Sequence, residues 1–242
     1  PPLRPPDGLM KSAAPRSRTA APAAPSFADC LTADRPRLRA LSRSAGQPGP
    51  NAEKAKAVRV AVANLIDREE LASKVYKGTY TPMYSYIPDG LAGHEDTLKS
   101  AYGENGKPSV DKAKKALSDA GVKTPVTLKI QYNADHYGAS SSDEYAAIKS
   151  QLETGGLFKV DLQQTEWTQY SKERVVTDSS DGSYPLYQLG WFPDYSDPDN
   201  YLSPFFREGN FILNAYSNKE VDSLISKQAG EDRKSTRLNS SH

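Results

Sequence analysis

The densest group of chemically useful side chains lies in Gly190–Tyr201, which reads GWFPDYSDPDNY and is called the aromatic–acidic segment below. Its aromatic and acidic residues interleave: Trp191, Phe192, Asp194, Tyr195, Asp197, Asp199 and Tyr201. Aromatic rings form rigid walls that exclude water, and carboxylates accept hydrogen bonds from an ammonium group. Such a pair is stronger in a partly buried cleft than in water, although both partners lose hydration there. The segment therefore predicts a site for a ligand with a positive amino end and variable apolar side chains.

The three aspartates of this segment are predicted to differ in role. Asp197-Pro198-Asp199 has the pattern of a helix start, in which an aspartate caps the helix and a proline occupies the first turn. Asp194 stands apart from that cap, directly after a predicted strand and Trp191. We therefore assign Asp194 to the ligand and the other two aspartates to the helix.

A calcium loop of the EF-hand type is a weak alternative for the same residues. Asp197, Asp199 and Glu208 match the first, third and twelfth positions of such a loop. However, Leu202 replaces the glycine that the loop requires, and Pro204 interrupts it. We therefore predict no metal site here.

Catalytic arrangements are also poorly supported. Asp194 and Glu166 would form a carboxylate pair of the kind used in glycoside hydrolysis, but the sequence does not set their separation. No GxSxG motif occurs, and His94, His136 and His242 do not cluster or show metal-ligand spacing. The sequence predicts a binding protein rather than an enzyme, with no cofactor.

Three strands and the helices between them are predicted to position the aromatic–acidic segment. Alternating apolar residues mark strands at Val126–Tyr132, Phe158–Leu162 and Tyr184–Leu189. Helices are predicted between them at Asp143–Thr154 and near Thr168–Val176. This order is typical of a parallel sheet with crossover helices, in which ligands sit beyond the carboxyl ends of the strands. Because the aromatic–acidic segment follows the third strand, the topology directs it to a site.

The flanking regions are predicted to be helical. Ala55–Tyr76 has helical apolar spacing that breaks around Asp67, which with Glu70 forms a variant of the capping box for a second helix. Gly78 is predicted to end that helix. Further helices are predicted at Ser109–Ala120, capped by Ser109, at Asp199–Phe206 and at Ser217–Lys227, which Ser217 can cap.

Composition divides the chain into three unlike pieces. Residues 1–50 hold 10 of the 18 prolines and carry a net charge of +5, which predicts a disordered segment or an out-of-frame translation of GC-rich DNA. Residues 51–231 carry a net charge of −6 and read as one α/β domain. Residues 232–242, DRKSTRLNSSH, resemble the conceptual translation of a sequencing-library adapter and are expected to be non-native.

Composition also bounds the environment of the protein. The single cysteine, Cys30, excludes a disulfide within the chain. No run of about 18 apolar residues predicts a membrane-spanning helix, and the first residues lack the apolar core of an export signal. The arginines of residues 1–50 are diluted by prolines without interleaved aromatics, so no nucleic-acid partner is predicted.

Several motifs in order resemble the family 5 extracellular solute-binding proteins, the peptide-binding components of ABC transporters. The matching stretches are VRVAVANLIDREELASKVYKG, TPMYSYIPDGL, DKAKKALSDAGV, TLKIQY, GWFPDYSDPDNYLSPFF and YSNKEVDSLI. They cover about Ala57–Glu231 and fit mostly the second lobe of a two-lobed protein. The resemblance implies a periplasmic-binding-protein type II-like α/β lobe, with the first lobe outside this chain.

The resemblance also implies roles for particular residues. The acid three residues after the tryptophan, Asp194, would hold the α-ammonium group of a peptide, and Trp191 would line the cleft. Backbone groups of Gly190 would pair with the extended peptide, and Tyr195 belongs to the same ligand-contact set. Gln188 is also predicted to be in this set; it stands where some members carry a cation for the ligand carboxylate, so that salt link is absent here.

The resemblance further implies how the protein works in the cell. The expected partners are a peptide ligand and the permease subunits of an ABC transporter, with ATPase subunits behind them. The protein is expected to be an extracytoplasmic monomer, either periplasmic or a surface lipoprotein that meets the membrane only through the transporter or a lipid anchor. Related members bind oligosaccharides or metal chelates, which remain alternative ligands, and a carbohydrate hydrolase is the alternative from another class.

Overall fold

The structure of the chain is a computed structural model that describes residues 52–175, 184–213 and 218–239. The predictions for residues 1–50, for the cap at Ser217 and for the last three residues fall outside these ranges. Among the described helices, none is both long and apolar enough to cross a lipid bilayer.

A parallel sheet of three strands forms the centre of the domain, as the sequence predicts. Strands β1 (Val126–Tyr132), β2 (Phe158–Gln164) and β3 (Leu186–Tyr187) lie in the order β2-β1-β3. β1 pairs with β2 along its whole length, from Val126↔Phe158 to Tyr132↔Gln164. The alternate side chains Val126, Leu128 and Ile130 of β1 are fully buried, which explains the alternating pattern of the sequence.

The third strand is shorter than the predicted Tyr184–Leu189. It pairs with β1 only at Ile130 and Gln131, because the chain leaves the ladder at Gln188. One further backbone bond, from the Gln188 N–H to the Gln131 carbonyl at 2.9 Å, holds the strand end against β1.

Helices cover one face of the sheet. Helix α1 (Ala52–Leu65) packs on α4 (Val110–Asp119), and α6 (Ser140–Glu153) packs on β2 and on β1. Their apolar faces and the sheet form one core, to which the helices contribute the deeply buried Ala61, Val62, Leu65, Ala113, Leu117, Ile148 and Leu152. The other face of β1 and β2 carries exposed polar residues, including Lys129, Lys159 and Asp161. Near the carboxyl end of β1 this face is also covered, because Gln131 is 0% exposed and donates to the Glu173 carboxylate.

The predicted break in the first helical region is confirmed at Asp67. Helix α2 (Arg68–Glu70) begins there, and the Asp67 Oδ1 accepts the Glu70 N–H at 2.9 Å. The chain continues as a π-helical turn, Leu71–Val75. The reciprocal half of the capping box is absent, because the Asp67 N–H donates to the Gln151 Oε1 at 3.0 Å instead.

The remaining helices agree only in part with the prediction. The last one, Lys219–Asn239, continues well past the predicted end at Lys227, and the short helices Thr97–Ala101 and Ala134–Tyr137 are not predicted. Helix α4 is capped by Ser109, whose hydroxyl accepts the Lys112 N–H at 3.4 Å. The last helix starts at Asn218, whose Oδ1 accepts two backbone N–H groups of the first turn. The other helices are α3 (Thr97–Ala101), α5 (Ala134–Tyr137), α7 (Trp167–Glu173), α8 (Asp199–Phe206) and α9 (Lys219–Asn239).

A second, largely aromatic core lies beside the sheet. Its buried members are Tyr170, Tyr187, Leu189, Phe205, Phe206, Ile212 and Ile225. These residues bring α7, β3, α8 and α9 together, and Trp191 packs on their edge. The aromatic–acidic segment is thus held at one end by the sheet and at the other by α8.

Candidate functional site

The carboxyl ends of the three parallel strands meet at one edge of the sheet. Three exit segments leave this edge: residues 133–140 after β1, residues 165–167 after β2 and residues 188–195 after β3. Such an edge is where ligands bind in parallel α/β sheets. The aromatic–acidic segment supplies most of the third exit, as the sequence predicts.

A buried glutamine ties the third exit to the first. Gln188 is 1% exposed, and its side-chain Oε1 accepts the Asn133 N–H at 3.0 Å. Its Nε2 donates to the Ser141 Oγ at 2.8 Å. Both ends of the amide therefore bond to the protein at the start of α5 and of α6.

Asn133 and Asp135 tie the first exit to the second. The Asn133 Nδ2 donates to the Thr165 carbonyl at 2.8 Å, and its Oδ1 accepts the His136 N–H at 2.7 Å. The Asp135 Oδ2 accepts the Trp167 N–H at 3.1 Å. That backbone hydrogen bond holds the pKa of the Asp135 carboxyl below its usual range. All three exits are thus joined by short polar contacts.

The joined exits carry a group of stacked rings that the sequence prediction missed. His136 lies flat on Trp167, with ring centroids 3.7 Å apart and planes inclined by 13°. Tyr137 meets the Trp167 ring edge-on, with centroids 5.8 Å apart, and Tyr170 stacks on the same Trp167 ring, with centroids 5.7 Å apart. His136 is exposed and Trp167 is half-buried, so this stack forms an aromatic wall at the strand edge.

Gly190 lies directly against this aromatic wall. A Cβ at position 190 would lie 2.8 Å from the Tyr137 ring carbon Cε1 and 2.9 Å from Cδ1. Only glycine allows the backbone of the third exit to come so close to the ring. The close contact leaves the backbone at position 190 next to the wall.

Trp191 is half-buried and fixed in orientation. Its indole Nε1 donates to the Asn200 Oδ1 at 3.1 Å. Its ring meets Phe205 edge-on at 5.1 Å and Phe211 at 6.1 Å. The indole is therefore a rigid surface whose buried side belongs to the second core.

Asp194 and Tyr195 are exposed at the end of the third exit, and Tyr195 is 53% exposed. The described part of the chain places no hydrogen-bond donor or ion-pair partner on the Asp194 carboxylate. The neighbouring Phe192 is 69% exposed, so the carboxylate has apolar surface beside it. The ligand role of Asp194 and Tyr195 stays a prediction.

The other two aspartates of the segment serve the start of α8, as predicted. The Asp197 Oδ1 accepts the Asp199 N–H at 2.7 Å, and Asp199 accepts the Ser203 hydroxyl through its Oδ1. Within residues 52–175, 184–213 and 218–239, no three metal-ligating side chains of the His, Cys, Asp or Glu types come together. Asp197 thus caps the start of α8, whereas the Asp199 carboxylate bonds only to a side chain of the same helix.

The carboxylate suggested as a hydrolase partner of Asp194 is already engaged. Both oxygens of Glu166 accept backbone N–H groups at the start of α7, from Gln169 at 2.7 Å and from Thr168 at 3.1 Å. A carboxylate that accepts backbone N–H groups in this way is an N-cap of the helix. Glu166 therefore serves the start of α7.

Sequence comparison gives a match over most of the described residues. A family model for the bacterial extracellular solute-binding proteins, family 5 Middle, matches residues 47–212. The oligopeptide-binding protein OppA of Bacillus subtilis (strain 168) is 25% identical over 186 residues, which are 74% of this chain and 32% of that protein. The chain thus spans about a third of the length of this curated relative.

Solved structures of similar fold cover the same portion. The ABC transporter substrate-binding protein CtaP of Listeria monocytogenes superposes with a TM-score of 0.60 at 23% identity, over 73% of this chain and 35% of that one. OppA of Burkholderia pseudomallei gives a TM-score of 0.57 at 28% identity, over 71% and 33% of the two chains. The fold of the described domain is thus that of one portion of these larger proteins.

Proposed function

Because the chain belongs to the bacterial extracellular solute-binding proteins, family 5, we propose that it forms most of the second lobe of the substrate-binding component of an ABC importer. The proposed ligand is a peptide, held in a cleft between this lobe and another and then delivered to the membrane permease. The B. subtilis relative is named an oligopeptide-binding protein, which supports a peptide as the ligand.

Membership of the family and the fold agree with the sequence prediction. The family match over residues 47–212 confirms the resemblance, and the neighbouring structures confirm an α/β lobe of the type II periplasmic-binding-protein kind with a parallel sheet. Members of this family are extracellular or periplasmic binding proteins rather than enzymes.

One observation carries the proposal: an exposed carboxylate, Asp194, follows a half-buried indole, Trp191, at the carboxyl edge of a parallel sheet. A peptide has a positive amino end, a backbone that forms strand-like hydrogen bonds, and side chains of any character. In the proposed complex, Asp194 accepts hydrogen bonds from the α-ammonium group and Trp191 lines the cleft. The Gly190 backbone pairs with the peptide chain, and Tyr195 covers the amino end.

The cellular setting follows from the same proposal. The working protein is a monomer that releases peptide to the permease subunits, which are driven by ATPase subunits. It acts outside the cytoplasm and meets the membrane through the transporter or a lipid anchor, and it has no nucleic-acid partner. The domain limits at residues 51 and 231 are part of this proposal.

The experiment is a titration that isolates the amino end of the ligand. Trialanine and N-acetyl-trialanine are added in turn to ¹⁵N-labelled protein, and NMR follows the backbone amides around Gly190 and the Trp191 indole N–H. We expect trialanine to shift these signals at millimolar concentrations, because the opposing wall of the cleft lies outside this chain. The acetylated peptide, which lacks the ammonium group, is expected to shift them much less.

Variants make the test specific. Asp194→Asn keeps the size of the side chain and removes its charge, so it is expected to weaken trialanine binding by about 5- to 150-fold. Asp111→Asn, at an exposed position on α4, is the matched control and leaves binding unchanged. Equal binding of both peptides, or a response to maltotriose alone, would overturn the peptide proposal. Micromolar trialanine affinity of this chain, measured by calorimetry, would contradict the proposal that the ligand is held between this lobe and another.

A further inference from the structure

The Gln188 side chain lies at the centre of the strand edge but contacts no open surface. Gln188 is 1% exposed, and its amide accepts one hydrogen bond at 3.0 Å from Asn133 and donates one at 2.8 Å to Ser141. A buried amide that loses its partners leaves polar groups unsatisfied, so these two bonds hold Gln188 tightly in one orientation.

The partners of Gln188 control the position of the first exit. Asn133 caps α5 through its own side chain. The last two residues of α5, His136 and Tyr137, carry rings of the aromatic wall. Ser141 lies in the first turn of α6, on the other side of the same exit. Gln188 therefore holds residues 133–141 at both ends.

The first exit in turn touches the residues proposed to meet the ligand. The Tyr137 ring lies against the Cα of Gly190, and the His136 ring lies on Trp167 at 3.7 Å. A displacement of residues 133–141 would therefore move the aromatic wall away from Gly190 and Trp167 together.

We propose that Gln188 is a positioning residue, which sets the aromatic wall against the Gly190 backbone by holding the first exit and does not touch the ligand. Its amide is neutral and is only 1% exposed, so it offers no charge and no accessible donor to a ligand carboxylate. The effect of Gln188 on ligand binding rests on the proposed function. The positional effect is a property of the unliganded chain.

The test uses the two tryptophans of the chain, Trp167 and Trp191, as separate reporters. With 5-fluorotryptophan incorporated, ¹⁹F NMR shows one resonance from each. Gln188→Met keeps the length of the side chain and removes both hydrogen bonds. We expect the Trp167 resonance to shift or broaden in this variant. The first exit keeps its bonds to Thr165 and Trp167 but loses the two bonds from Gln188, so the His136 ring that covers Trp167 is held less firmly.

A second glutamine provides the matched control. Gln151 also bridges two segments, accepting the Asp67 N–H at 3.0 Å and donating to the Glu70 carboxylate at 3.0 Å, but it is remote in the chain from all three exits. Gln151→Met is expected to lower stability without changing either tryptophan resonance. Ser141→Ala removes only one of the two Gln188 hydrogen bonds. This milder variant replaces Gln188→Met if Gln188→Met does not fold. It should shift Trp167 in the same direction by a smaller amount.

The outcomes separate the positional role from the proposed function. An unshifted Trp167 resonance in Gln188→Met and Ser141→Ala, or an equal shift in Gln151→Met, would overturn the inference. If trialanine binds the parent chain, Gln188→Met is expected to weaken trialanine binding by about 2- to 30-fold. Retained affinity despite a shifted Trp167 would refute the link to binding. Failure of the parent chain to bind trialanine at all would refute the proposed function and leave the positional result standing.

Discussion

Replacement of Glu144 by glutamine tests the energetics of the core beneath the site. Glu144 lies on α6 and is 5% exposed, and its Oε2 accepts the Tyr76 hydroxyl at 2.8 Å. Burial raises the pKa of the Glu144 carboxyl to about 7, because the charged form loses hydration, and the Tyr76 hydrogen bond offsets only part of this. The carboxyl is therefore protonated in the folded protein under mildly acidic conditions.

The sign and size of the effect follow from proton linkage. The folded pKa of about 7 lies above the ordinary value of 4.5, so the folded state binds the proton more tightly than the unfolded state. The stabilisation is fully present below about pH 4.5 and is lost as the pH rises through about 7. The difference of about 2.5 pKa units corresponds to about 3 kcal/mol of unfolding free energy.

Glu144→Gln keeps the shape and the acceptor for Tyr76 but cannot ionise. We expect urea unfolding to show the variant more stable than the parent by up to about 3 kcal/mol at about pH 8, but by less than about 1 kcal/mol at about pH 5. Since other groups titrate in this range, the measured quantity is the difference between the two proteins at each pH. Glu104→Gln, at an exposed position, is the control and should leave the curve unchanged. A difference that is constant between these pH values would refute the reasoning.

Three further predictions concern the strand edge, helix α9 and a surface loop. Gly190→Ala should destabilise the fold by about 1–3 kcal/mol, because its Cβ would meet the Tyr137 ring at 2.8 Å. Gly230→Ala, in α9 with open space around it, should instead stabilise by about 0.5–1 kcal/mol, and urea unfolding of both variants compares them. The pKa of His94 should exceed its usual value in an NMR titration, because its Nδ1 contacts the Ile87 carbonyl and its Nε2 the Asp96 carboxylate. The His94 stabilisation is then present below about pH 6.5 and lost as the pH rises through the raised pKa, and an unraised value would refute this.

The strands could be predicted because burial leaves a local pattern in the sequence. Val126, Leu128 and Ile130 are each 0% exposed, and this burial on one face produces the alternation from which β1 was predicted with its observed bounds. The third strand was predicted too long for a related reason. Tyr187 and Gln188 are both buried, but the second leaves the ladder to bond with the first exit. Burial alone does not distinguish these two uses of a residue.

The site divides in the same way between local and distant contacts. The capping role of Asp197 could be predicted because its partner, Asp199, is two residues away, and a proline between them limits the backbone. The Gln188 amide instead bonds to residues 55 and 47 positions away. Nothing in the residues around Gln188 shows where those partners lie. The sequence therefore predicts neither bond, and only the resemblance to the family singles out Gln188.

The aromatic wall shows what sequence reasoning needs in order to go further. His136 and Trp167 follow different strands, and no spacing in the sequence connects them, yet they stack at 3.7 Å because parallel strands end at one edge. The topology rule that directed the aromatic–acidic segment to this edge applies equally to the residues after β1 and β2. Applied to all three exits, it selects Asn133, His136 and Trp167 together with Trp191. The sequence singles out only the third exit, because only the third strand is followed by a dense run of rings and carboxylates.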